Sequence, residues 1–135
     1  MGQKIAVDTT LLIYLLEQNE KYLEQVREIF HKIQRGHYEA VFASIGLIEL
    51  MIGPKKQKQF YLANQFRHQV VTFPNLIIGN LNENVIELAS SLSARYNIKI
   101  PDAIHIATAI DFQAEKFITN DFGLQKIKEI AVEVL

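Results

Sequence analysis

The chain has 135 residues, 49% of them hydrophobic, the size and apolar content of one globular domain, residues 1–135, with a real core. Its longest apolar stretches, such as residues 11–16 and 76–78, fall far short of the roughly 20 residues a membrane-spanning helix requires, so no membrane partner is expected. Fourteen Lys and Arg against fifteen Asp and Glu give a formal net charge of −1, which removes any global electrostatic drive toward nucleic acid and confines such binding to a local patch.

The N-terminal residues run straight into a strand-like segment without the apolar region and small-residue cleavage site of a signal peptide. The absence of cysteine excludes disulfides and thiolate chemistry and fits a reducing cytoplasm. The one basic run, Lys55-Lys56-Gln57-Lys58 continuing to Arg67 and His68, reads first as a solvated helix face.

Taken in chain order, residues 4–7 read as a buried strand feeding a helix over 9–17, with Asp8 at the junction. Leu23, Val26, Phe30 and Ile33 recur at helical spacing in a second helix that begins near Glu20 and ends at Gly36. Residues 39–43 supply the next strand, and Ser44 caps a helix over 45–52 that Gly53-Pro54 must break. A weaker helix covers 56–69. The β-rich run 70–73 stops at Pro74, and 76–78 is either a second piece of that strand or its neighbour.

Asn82 reads as a helix N-cap, with Leu81 and Ile86 placed as a hydrophobic staple and Val85, Leu88, Ala89, Leu92 and Tyr96 as the buried stripe. Asp102 caps a further helix whose buried face is Ala103, Ile106, Ala107, Ile110 and Ala114. Residues 116–119 form a strand ending at Asn120-Asp121, and 132–134 an edge strand. Strands separated by helices, without two-residue hairpin turns, argue for an α/β fold: a parallel sheet with helices on both faces. Such sheets bind ligands at the carboxyl ends of their strands, where the winding reverses. Asp8 and Asp121 stand at strand ends of that kind.

Four acids carry the chemical argument. Asp8, Asp102 and Asp121 each precede a predicted helix, where an aspartate caps backbone N–H groups, and a cap uses one carboxylate oxygen while leaving the other free. Glu49 lies between Ile45-Gly46-Leu47-Ile48 and Leu50-Met51-Ile52. With almost no polar face to join, it needs a cation, a hydrogen-bond network or an edge position. Asp111, nine residues after Asp102, falls on the opposite side of that helix. His31, His37, His68 and His105 show no paired i, i+4 spacing, which argues against zinc, and His105 reads as a packed or solvated residue rather than a catalytic one. Thr9, Thr10 and Thr119 are candidates to orient a metal-bound water or simply to bond the backbone. An all-oxygen, carboxylate-rich set suits Mg²⁺ or Mn²⁺, which retain waters that phosphates replace, and so points to phosphoryl chemistry.

Four stretches together resemble the PIN-domain nucleases, and specifically the VapC-type toxins of toxin–antitoxin pairs. They are Val7-Asp8-Thr9-Thr10-Leu11-Leu12, Ile48-Glu49-Leu50-Met51-Ile52-Gly53, Pro101-Asp102-Ala103-Ile104-His105-Ile106-Ala107-Thr108-Ala109 and Ile118-Thr119-Asn120-Asp121-Phe122, in the family's order and spacing. The resemblance implies a three-layer α/β/α sandwich in which Asp8, Glu49, Asp102 and Asp121 converge on one or two Mg²⁺ or Mn²⁺ ions and hydrolyse RNA. It also implies a homodimer held by a cognate antitoxin. Thr10 departs from the Asn that family members often carry, and Gly46 stands where a serine or threonine is common; Ser44 is the candidate substitute.

Two other readings remain at this point: a binding module that kept the fold without the chemistry, and an aspartyl-phosphate enzyme. The second needs a lysine near the later acidic loop and, in phosphatases, a second Asp two residues after the first, where Thr10 stands.

Overall fold

In a computed structural model, which describes residues 2–135, β1 (Gln3–Val7), β2 (Tyr38–Ala43), β3 (Leu76–Gly79), β4 (Lys116–Thr119) and β5 (Ala131–Val134) form one sheet. Its order is β3-β2-β1-β4-β5, and every neighbouring pair is parallel. From β1 the chain winds outward to β2 and β3, then returns to the other side of β1 for β4 and β5. The switch point therefore lies between β1 and β4.

Alternation along the strands divides the core in two, because successive side chains point to opposite faces. Ile5, Val7, Ala40, Phe42 and Ile118 pack on one face with residues of α1 (Thr9–Leu16), α2 (Leu23–Gln34), α3 (Ile45–Lys56) and α4 (Phe60–Val71). Ala6, Val41 and Phe117 face the other way, onto α5 (Glu83–Tyr96), α6 (Ile100–Asp111) and the segment from Leu124 to Ile130. Both faces are covered, which gives the expected three-layer sandwich. Asn82 caps α5 by accepting from the Val85 N–H at 2.9 Å.

Three local expectations are corrected. Helix α3 passes through Pro54 and ends at Lys56 rather than breaking at Gly53-Pro54. Proline removes the N–H that would bond one turn back, yet Pro54 is buried and its carbonyl accepts from the Gln57 and Gln59 N–H groups, so the last turn holds. Ser44 precedes α3 in helical geometry and makes no side-chain capping bond. The run at 70–73 is not a strand, for Val70 and Val71 close α4, with Val70 buried in the core. The chain then turns through Asn75 at φ +62° into β3. Here tertiary burial outweighs the β-preference of paired valines.

Candidate active site

The carboxyl ends of β1 and β4 are tied by a short chain of hydrogen bonds. Asp8 follows β1 and caps α1: its Oδ1 accepts from the Thr9 N–H at 2.7 Å, and its Oδ2 accepts from the Thr119 hydroxyl at 2.6 Å. Thr119, fully buried at the end of β4, accepts in turn from the Asp121 N–H at 3.1 Å. Asp121 caps the following 3₁₀ turn through Gly123 N–H at 2.8 Å, and its side chain is exposed. Both aspartates thus act as caps, as their positions suggest, and both lie at the switch point.

Glu49 is half-buried, not enclosed by the apolar residues around it in sequence. Its Oε1 accepts from the Thr9 hydroxyl at 2.7 Å and stands 2.7 Å from His105 Nε2. Thr9 Oγ1 is also 3.0 Å from that nitrogen. An Nε2–H shared between Glu49 Oε1 and Thr9 Oγ1, with the Thr9 hydroxyl proton directed at Glu49, accommodates all three contacts, and Nδ1 has no hydrogen-bond partner among the described residues. These bonds, that of His105 foremost, hold the Glu49 carboxyl below the ordinary glutamate value against the opposing effect of burial. His105 is therefore part of the constellation, where its sequence position alone read as packing.

Asp102 does not cap its helix. Lys99 occupies the N-cap of α6, Pro101 stands in the first turn, and Asp102 follows it, close to the positive end of the helix dipole. Its carboxyl is nonetheless pushed above the ordinary aspartate value. Burial is the main cause, followed by the charges of Asp8 and Asp121 and, more weakly, Glu49, with His105 opposing. The charges of Asp8, Asp121 and Glu49 are thus felt at Asp102. As the side chains stand, no three His, Asp or Glu among the described residues converge tightly enough to grip an ion. Asp111 lies elsewhere, at the far end of α6, where it accepts from Asn82 and Asn84 side chains.

The two departures from the family pattern acquire physical content. Gly46 is buried, and a Cβ there would stand 2.0 Å from Cζ of Phe42, whose ring centroid lies 5.9 Å from that of His105. The volume of a serine or threonine side chain at 46 is taken by the Phe42 ring, and Thr9, not Ser44, supplies the hydroxyl that meets Glu49. The Thr10 hydroxyl is buried without a partner among the described residues and supports none of the acids.

The family model described as the PIN domain matches residues 5–130. The chain belongs to the PIN-domain family. Among solved structures, this PIN chain is similar to that of DNA-bound VapBC from Salmonella typhimurium (TM-score 0.76, 19% identity, 98% of each chain covered). It is also similar to VapBC2 from Rickettsia felis bound to a promoter DNA fragment (0.75, 17%, 98% of each chain). A third is VapC20 of Mycobacterium tuberculosis, a sarcin-ricin loop cleaving toxin (0.70, 12%, covering 93% of this chain and 98% of that one). At these identities the likeness is one of fold. No curated protein sequence gave a significant match. No helix of this PIN domain, among the described residues, is long and apolar enough to cross a membrane.

Proposed function

We propose that this PIN domain is a divalent-metal-dependent endoribonuclease and the toxin of a toxin–antitoxin pair. The observation that carries the reading is the placement of Asp8 and Asp121 at the carboxyl ends of β1 and β4, the neighbouring strands at the switch point, joined through Thr119. Burial and the charges of three other carboxylates, Asp8, Asp121 and Glu49, also raise the proton affinity of Asp102, a repulsion that a cation would relieve. The donor set is all oxygen and suits a hard ion, Mg²⁺ or Mn²⁺. Glu49 Oε2, Asp121 Oδ2 and both oxygens of Asp102 accept no hydrogen bond among the described residues, so each has an oxygen to offer. Asp8, Glu49, Asp102 and Asp121 would hold the ion, which when bound supplies an activated water and neutralises charge on the phosphate.

The chain's own residues prepare that site. Thr119 and the Thr9 N–H fix Asp8, while Thr9 and His105 fix Glu49. Preset carboxylates lose less freedom when a ligand arrives. The similar solved structures are toxin–antitoxin assemblies, or in one case a toxin that cleaves the sarcin-ricin loop. By that likeness we assign RNA as the substrate, an antitoxin segment across the acidic crevice as the natural block, a homodimer as the assembly and the cytoplasm as the location.

A second reading, a silent binding module on the same fold, is favoured by one observation: the acids are not closed on a common point. One experiment separates the two. Purified protein is incubated with folded RNA in Mn²⁺ or Mg²⁺, with chelator in a parallel arm, and its melting temperature is followed with and without metal. The nuclease reading expects chelator-sensitive cutting and a rise in melting temperature; flat melting curves with uncut RNA would establish the silent module.

A further inference from the structure

Residues 50–82 contain none of the chain's fifteen Asp and Glu and hold four of its fourteen Lys and Arg. A chain with a formal net charge of −1 thus concentrates positive charge on one stretch, the second half of α3 with α4 and β3. Three of the four cations cluster where α3 gives way to α4. Lys55 and Lys56 close α3, and Lys58 follows its C-cap, Gln57. All three are exposed, and none pairs with an acid among the described residues. Cations in a last turn suit the helix dipole, which accounts for Lys55 and Lys56 locally. Lys58 stands at φ +57°, a left-handed backbone that glycine adopts at lower cost, so the geometry of the turn gives no reason for lysine there.

The helix that carries Glu49 places this patch. Lys56 follows Glu49 by seven residues, and α3 is helical from one to the other. Two turns put both on nearly the same face, about 10 Å apart along the axis. A nucleic-acid strand covers that distance in about three nucleotides, at roughly 3.4 Å each. The acids themselves repel a polyanion, so attraction to phosphate has to come from beside them.

We propose that Lys55, Lys56 and Lys58 form a phosphate-binding surface that holds an RNA backbone two helical turns from Glu49. This rests on the nuclease reading, which supplies RNA as the polyanion, and adds a binding site outside the four acids. The contact is made to phosphates, so it registers charge and position along the strand and carries no base sequence.

The experiment follows binding of a fluorescent RNA of about 12 nucleotides by anisotropy over a series of salt concentrations. Chelator is present, so that neither cutting nor a bound ion contributes. The slope of log affinity against log salt counts the phosphates neutralised, at about −0.7 for each in a single strand. A protein carrying Lys55→Gln, Lys56→Gln and Lys58→Gln together should flatten that slope by about two, whatever the base sequence. Arginine at the same three positions keeps the charge and should keep the parent's slope, which guards against a folding defect. A second triple variant, Arg27→Gln, Lys32→Gln and Arg35→Gln on α2 and its C-cap, removes the same formal charge elsewhere and should leave the slope as it is. Equal flattening by both glutamine triples, or by neither, overturns the proposal. So does a patch whose loss weakens binding of duplex DNA but not of RNA, or releases a co-purified acidic protein with RNA binding intact. Cutting by the parent in Mn²⁺ is recorded in parallel. RNA that is cut while the slope ignores the lysines removes the phosphate surface and spares the nuclease; RNA that is held through the lysines and never cut keeps the surface and removes the nuclease.

Discussion

Nε2 of His105 lies 2.7 Å from Oε1 of Glu49, joining the second turn of α6 to the middle of α3 across 56 residues of sequence. The imidazole is 3% exposed and the carboxylate half-buried, so one partner is locked in the core and the other reaches solvent. His105 thereby fixes where Glu49 stands. Replacing it with leucine keeps an apolar filler of similar size and removes the bond. Stability should fall by about 1–2 kcal/mol, in the lower part of the range for hydrogen bonds to charged groups because Glu49 can regain water. The rise in melting temperature with Mn²⁺ should shrink in the same variant. Urea titration gives the first quantity and metal-dependent melting the second; a variant whose metal response equals the parent's would leave His105 a packing residue only.

Asp102 supplies a prediction of opposite sign. Its folded-state pKa lies above the ordinary value near 3.8, so its contribution favours folding in acid, below that value, and is lost as pH rises through the raised folded value. At neutral pH without metal, Asp102 should therefore destabilise the fold, and Asp102→Asn should melt higher than the parent. Added Mn²⁺ should reverse the ranking, because the parent gains a ligand that the variant has weakened. Glu49 runs the other way: its lowered pKa contributes stability above the ordinary value of 4.5 that is lost as pH falls through the folded value. Melting of the metal-free parent against pH should accordingly show a rise on mild acidification and a fall below it, and Asp102→Asn should lack the rise.

Most of the strand ends were readable from local pattern. The apolar run before Asp8 and the one before Asn120-Asp121 needed only period and length, and both acids proved to be caps at the sheet's switch point. Asp102 was misplaced by part of a turn, because Pro101 starts a helix as readily as it ends a loop. The support around the acids was not legible. The Thr9 hydroxyl and His105 meet Glu49, and the Thr119 hydroxyl meets Asp8, through contacts between distant segments. A signal for His105 existed, since it follows Asp102 by three residues on the same helix and so shares its face, but a lone histidine in an apolar helix carries little weight. The α4 terminus was misread for a related reason: adjacent valines prefer strands, and only the core contact of Val70 decides for helix.

Gly46 offers a test of packing that leaves the carboxylates in place. Gly46→Ser inserts the hydroxyl common at this position in the family, but its Cβ meets the Phe42 ring at 2.0 Å. A rigid aromatic in a filled core cannot yield freely, so the single variant should lose about 1–3 kcal/mol. Pairing it with Phe42→Leu should recover much of that loss, giving a coupling well outside additivity. Denaturant midpoints of the four proteins measure it. Additive losses would mean that the ring relaxes away and that Gly46 is not kept by Phe42.

Asp8 is the acid on which structure and proposed chemistry depend most closely. Both of its oxygens already accept bonds, from the Thr9 N–H and the Thr119 hydroxyl, and it is 8% exposed. In Asp8→Asn the amide oxygen keeps the cap to Thr9. The amide nitrogen then faces Thr119, whose oxygen can accept, but the buried hydroxyl proton of Thr119 loses its acceptor, so the cost to stability should be about 1–3 kcal/mol. Removing the charge has a different effect on a cation, which loses a ligand held in place by the ends of two strands. Cutting of RNA should fall by about a hundredfold or more, because misplacing the ion misplaces the attacking water as well. Asp111→Asn is the control: that carboxylate sits at the far end of α6 with Asn82 and Asn84, and its removal should leave cutting unchanged. Purified parent and variants are compared on folded RNA in Mn²⁺, with melting curves recorded beside each rate. If well-folded Asp8→Asn cuts as fast as the parent, the residue is a cap alone and the ion must be sought elsewhere or abandoned.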